Sequence, residues 1–138
     1  MQSLYTTTAH ARGDGRNGQV QTDDGILDTA VRLPKELGGA GGSTNPEQLF
    51  AAGYAACFHS ALRLAGQQAG VDVSDSEVSA TVHLGTTDAG GFGLAVELDV
   101  SLPACTPEEA RATADRAHEL CPYSNATRGN IDVTVSVV

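Results

Sequence analysis

The chain has no tryptophan, and aromatic residues make up only 4% of its 138 positions. A core built from it must rest on Leu, Val and Ala, and so thin an aromatic complement predicts that further surface is buried by self-association. Basic residues are also scarce. Eight Lys and Arg stand against 17 Asp and Glu, a formal charge of −9. Nucleic acid and anionic membrane surfaces both demand a basic footprint, so neither is expected as a partner. Long apolar runs are missing as well. Nothing approaches the about 18 residues of a membrane span, and no basic segment leads into an apolar stretch, so the expected location is cytoplasmic. Cysteine is limited to three residues with no C-x-x-C pair, and the four histidines are dispersed. That pattern excludes the usual zinc spacings, and an odd cysteine count predicts at least one free thiol. The GGAGG run has no Walker lysine behind it and no G-x-G-x-x-G context, which excludes a phosphate loop.

What is present divides cleanly. A length of 138 residues predicts one domain, 1–138. Residues 3–11 read as a strand, RGDGRNG at 12–18 as a turn, and 19–33 as a hairpin folded at Asp24-Gly25. A glycine-rich loop over 34–45 feeds a helix from Pro46 to about Gly70, with Asn45 as N-cap, Pro46 in its first position and Glu47 in its first turn. Residues 76–85 and 92–101 alternate as strands. Thr106-Pro107-Glu108-Glu109 opens a second helix that runs to Leu120. CPYSNATRGN, 121–130, reads as a polar turn, and 130–138 as a last strand. The order β-β-β-α-β-β-α-β, with hairpins early and midway, predicts an α+β fold of antiparallel sheet and helices.

Two cysteines sit in opposite contexts. Cys57 lies in the apolar helical run AAGYAACFHSALRL and reads as buried; Cys121 opens the polar stretch and reads as exposed. His118 precedes Cys121 by one helical turn, so the two can face each other. A helix C-terminus disfavours a thiolate, which fits Cys121 to a resolving role better than an attacking one. An attacking thiolate needs a cation nearby. Arg16, in a glycine-flanked turn, is a candidate, with Glu47 as its carboxylate partner. Residue context equally allows a solvated Arg16, a Glu47 that only complements the helix dipole, and a Cys57 that is simply a core residue. Cys105 has no evident partner.

Three stretches go further. PKELGGAGG at 34–42, TNPEQLFAAGYAACF at 44–58 and CPYSNATRGN at 121–130 resemble organic hydroperoxide resistance proteins, the Ohr branch of the Ohr/OsmC family, and the likeness runs over nearly the whole chain. The resemblance implies antiparallel sheets around a central buried helix, in an intertwined homodimer. It implies a thiol peroxidase acting on organic and fatty-acid hydroperoxides. Cys57 would attack, Cys121 resolve, and Arg16, in Gly15-Arg16-Asn17-Gly18, and Glu47 would assist. No bound cofactor is implied; the reductant is an external dithiol, a lipoyl group or dihydrolipoamide on a lipoylated protein. A pocket lined by Phe50, Tyr54, Phe58 and Leu37 would take the substrate. An OsmC-like peroxidase of broader specificity and a non-enzymatic thiol sensor are the alternatives. Ten residues of helix between Glu47 and Cys57 rise about 15 Å, so either the helix starts later than Pro46, or it bends near Gly53, or the residues are shared across a dimer.

Overall fold

The computed structural model describes residues 1–138. They form two compact units, Met1–Leu49 and Phe50–Val138, and the division falls within the first α-helix.

In the N-terminal unit, β1 (Ala9–Arg12), β2 (Gln19–Thr22) and β3 (Asp28–Ala30) make an antiparallel sheet in sequence order. The hairpin turns at the expected place. Asp24 accepts from Thr22 Oγ1 and from the Ile26 amide, and Gly25 takes the left-handed conformation (φ 71°) that closes it. The strand expected over 3–11 is confined to 9–12. Its register pairs Ala9 with Thr22 and Arg12 with Gln19, so the four residues of β2 set its length. In the loop that follows β3, Lys35–Leu37 make a 3-10 turn and Val31 pairs with Thr44.

Helix α1 spans Pro46–Ala69. The Asn45 side chain accepts from the Gln48 amide at 2.9 Å, the N-cap bond that the sequence predicts. The later start that would have shortened the Glu47-to-Cys57 interval is therefore excluded. The remainder of α1 anchors the C-terminal unit. Tyr54, Phe58, Ala61, Leu62 and Ala65 recur at helical spacing and are buried. They meet Val96, Leu98 and Val100, the inward positions of β5 (Phe92–Ser101), and Ala110, Ala114 and Ala117 of α2 (Pro107–Leu120). Burying a side chain such as Phe58, Leu62 or Leu98 contributes about 1.5–3 kcal/mol, so this packing of helices against one face of the sheet is the main source of stability in the unit.

β4 (Glu77–Thr86) pairs antiparallel with β5, placing Val78, Ala80 and Val82 opposite Val100, Leu98 and Val96. Thr106 caps α2 with a full capping box to Glu109. Two expectations are corrected after that. The polar stretch 121–130 is not simply a turn: Pro122–Thr127 form a short helix, α3. Proline pre-sets the first helical φ, and Cys121 itself acts as cap, its sulfur accepting from the Ser124 amide at 3.5 Å. The absence of a conventional Ser, Thr, Asp or Asn cap hides this helix in the sequence. The last strand, β6, is shorter than expected (Val133–Val137) and runs parallel to β5, because a crossover through α2 and α3 joins the two. The sheets are otherwise antiparallel, as the sequence predicts.

Candidate active site

Arg16 stands on a 3-10 turn, Gly15–Asn17, between β1 and β2. The turn closes tightly: a Cβ on Gly18 would lie 2.1 Å from the Arg12 carbonyl oxygen, so only glycine fits there. The guanidinium forks onto Glu47 in the first turn of α1. Nη1 donates to Oε2 and Nη2 to Oε1, both at 2.7 Å. Glu47 is mostly buried, its side chain 16% exposed, against 41% for Arg16. The hydrogen bonds from Arg16 hold the Glu47 carboxyl below its ordinary range, and the bond to Glu47 raises Arg16 in turn. The pairing expected from the sequence is thus formed within the N-terminal unit, as a bidentate charge-assisted contact of the stronger kind.

The two cysteines meet in the C-terminal unit. Cys121 Sγ lies 3.6 Å from Cys57 Sγ, across 64 positions of chain, and both are free thiols. Their environments reverse the expectation. Cys121 is fully buried and Cys57 is partly exposed. The physical reason is the joint at Cys121, at once the C-cap of α2 and the N-cap of α3. The chain folds over at that residue and turns its side chain inward. Cys57 lies on the flank of α1, beside the buried stripe. Burial is the main influence on the Cys57 thiol and pushes its pKa up; the backbone amide of Tyr123 pulls it down, and the neighbouring Cys121 adds to the rise.

Around Cys121 lies a set of polar groups that sequence reasoning missed. His118 Nδ1 sits 2.8 Å from Ser124 Oγ, so it serves Ser124 and not, as expected, Cys121. Ser124 Oγ is 3.0 Å from the Tyr54 hydroxyl, which is 3.1 Å from Thr127 Oγ1. Ser124 and Tyr54 have no exposed surface, yet no buried side-chain polar atom lacks a partner. The three-residue spacings from His118 to Cys121 to Ser124 to Thr127 are the signal that could have revealed the cluster, had α3 been recognised as helix.

The residues expected to line a substrate pocket separate. Tyr54 and Phe58 are wholly buried in the core, so neither presents a wall to solvent. Phe50 is partly buried and joins Tyr54 and Tyr123 in an aromatic group with ring centres 5.7–6.2 Å apart. Leu37 is about half exposed on its 3-10 turn in the N-terminal unit. The open cavity that contains Cys57, about 290 Å³, is lined instead by Ser60, Ala61, Leu64, Leu120 and Pro122. Beside it, Tyr123 crosses Gly53 so closely that a Cβ there would come within 3.0 Å of the phenol oxygen. The Cys105 thiol donates to the Asp72 carbonyl oxygen, at 3.2 Å, and packs against the edge of the core.

The chain is thus an α+β protein with a buried helix and two free thiols at near-contact distance. The matches are specific. The model of the OsmC-like protein family matches residues 39–136. The organic hydroperoxide resistance protein of Xanthomonas axonopodis pv. citri (strain 306) is 48% identical over 136 residues, covering 97% of this chain and 94% of that one. A crystal structure of an organic hydroperoxide resistance protein from Legionella pneumophila superposes with a TM-score of 0.94 at 51% identity, over 99% of this chain and 98% of the other. That of OhrB from Bacillus subtilis gives 0.90 at 42%, over 99% and 100%. The chain belongs to the Ohr/OsmC organic hydroperoxide resistance family.

Proposed function

We propose that the protein is a thiol peroxidase that reduces organic and fatty-acid hydroperoxides to alcohols. The observation that carries this is the 3.6 Å approach of Cys57 and Cys121, beside an open and largely apolar cavity, in a chain whose relatives are named for organic hydroperoxide resistance. Cys57, the more accessible sulfur, attacks as thiolate on the outer peroxide oxygen. The O–O bond breaks, the alkoxide leaves as an alcohol after taking a proton, and Cys57 becomes a sulfenic acid. Cys121 then attacks that sulfur; hydroxide departs as water with the Cys121 proton, and a disulfide forms. An external dithiol, such as a lipoyl group on a lipoylated protein, restores both thiols by exchange.

Burial alone works against the Cys57 thiolate, so the reading requires a cation. Arg16 is assigned that role, with Glu47 holding its fork. The reading includes a homodimer, in which the two residues can be supplied across the subunit boundary; one uninterrupted α1 carrying both Glu47 and Cys57 is consistent with that. The test is a lipoamide-coupled assay with an alkyl hydroperoxide on wild type, Cys57→Ser and Cys121→Ser. Turnover should vanish in the first variant, while the second should release one equivalent of alcohol and then stall. Full activity in Cys57→Ser would overturn the mechanism, and a Cys121→Ser variant that turns over normally would remove the resolving step.

A further inference from the structure

The function proposed above needs Cys121 to find a sulfenic acid on Cys57, and the C-terminal unit contains a device suited to that. Ser124 Oγ joins three helices at one atom. It contacts Tyr54 of α1 and His118 of α2, and itself belongs to α3. Each contact lies one helical turn from a sulfur. Tyr54 precedes Cys57 by three residues, and Cys121 stands midway between His118 and Ser124. The Ser124 amide also faces Cys121 Sγ at 3.5 Å.

Proton accounting fixes the direction of the chain. Thr127 donates its only hydroxyl proton to the Ser124 carbonyl, at 3.2 Å. Tyr54 must then donate to Thr127, Ser124 to Tyr54, and His118 Nδ1–H to Ser124. Every contact is satisfied in that one arrangement, and the imidazole carries its proton on Nδ1 whether neutral or charged. The tie therefore does not depend on the ionisation of His118.

We propose that Ser124, held by His118 and Tyr54, is a positioning residue for the resolving step: it locks the helix bearing Cys57 to the joint bearing Cys121. A disulfide requires the sulfurs to close from 3.6 Å to about 2.05 Å. In that step the Cys121 sulfur pair forms the S–S bond, the Cys57 S–O bond breaks, and the thiol proton leaves in water. Without the tie, α3 shifts against α1, and a misplacement of about 1 Å costs on the order of 100-fold in rate.

The experiment mixes reduced protein with one equivalent of an alkyl hydroperoxide and traps the sulfenic acid with a cyclic dione at timed intervals. Ser124→Ala should form the sulfenic acid at the wild-type rate but lengthen its lifetime about tenfold or more. His118→Ala should do the same. His118→Asn, whose amide nitrogen can take the place of Nδ1, should restore rapid closure. Tyr54→Phe, which keeps the ring and cuts the tie from the α1 side, carries the test if Ser124→Ala does not fold. The proposal is overturned by a Ser124→Ala or Tyr54→Phe lifetime equal to wild type, by equal slowing of both steps, or by His118→Asn behaving as His118→Ala. These outcomes count against Ser124 alone when wild type closes its disulfide; a wild type that forms neither sulfenic acid nor Cys57–Cys121 disulfide removes the proposed function, and this step with it.

Discussion

Replacing Glu47 by Gln isolates the contribution of one charge at nearly constant shape. The glutamine keeps one acceptor for Arg16 but turns an N–H pair toward the other guanidinium nitrogen, so one of two bonds at 2.7 Å is lost and the second loses its charge. Opposing effects set the magnitude. The carboxylate is mostly buried, which strengthens the pair, but two-fifths of the Arg16 side chain meets solvent, which screens it. Exposed pairs contribute up to about 1 kcal/mol, and the bidentate geometry places this one at the upper end of that range. Glu47→Gln should therefore cost about 1 kcal/mol at pH 7, roughly a fivefold change in the folding equilibrium. The sign with pH follows from the direction of the shift. Because the folded-state pKa of Glu47 lies below its unfolded value, the stabilisation is complete above the unfolded carboxylate range of about 4.3. It disappears as the pH falls through the lower folded value. Urea unfolding of wild type and variant from pH 7 to pH 3 should show two curves that differ at neutral pH and converge in acid. A constant gap across that range, or none at pH 7, would refute the assignment of the stabilisation to the ionised pair.

Three further outcomes are expected. If Arg16 is the cation that activates Cys57, then Arg16→Met exposes the upward push of burial on that thiol; the pH midpoint of Cys57 alkylation should rise by about one unit or more, and an unmoved midpoint would exclude Arg16 from the role. A bulky maleimide should label Cys57 before the fully buried Cys121, by at least about tenfold in rate, as read by peptide mass mapping; faster labelling of Cys121 would contradict the inward turn at the α2–α3 joint. Gly66→Ala sets helix propensity, a gain of about 1 kcal/mol, against a Cβ that would lie 2.5 Å from Val73 Cγ1. Overpacking against a buried, branched side chain costs about 1–3 kcal/mol, so urea unfolding should show a net loss, and a stabilised variant would show that the loop at Val73 yields freely.

What the sequence made legible, and what it did not, divides along one physical line. Patterns that satisfy themselves locally were readable: the Asp24-Gly25 hairpin, the Asn45 cap with Pro46, the Thr106 capping box, and the alternation in β4 and β5. Each rests on residues within a few positions of one another. The Arg16–Glu47 fork spans 31 positions and the thiol pair 64, beyond the reach of periodicity; charge complementarity offers the first pairing as one candidate, the likeness to a family implies roles for all four residues, and both contacts form in the structure. Local chemistry alone misleads where the chain folds a polar segment inward. Polar neighbours suggest an exposed Cys121, but two of them, Ser124 and Thr127, are themselves buried; both hydroxyls meet the Tyr54 phenol, and that of Thr127 donates to the Ser124 carbonyl. The resemblance implies Tyr54 and Phe58 as pocket walls, but Tyr54 points its phenol inward to Ser124 and Thr127, and Phe58, one residue beyond Cys57, turns to a different azimuth of the helix. Phe58 therefore enters the core, while Cys57 remains at the edge of the cavity. A polar segment with its hydroxyls at helical spacing is as consistent with an inward-facing hydrogen-bonded cluster as with a solvated turn. What decides between them is whether a partner across the core, here the Tyr54 phenol, is present to receive it.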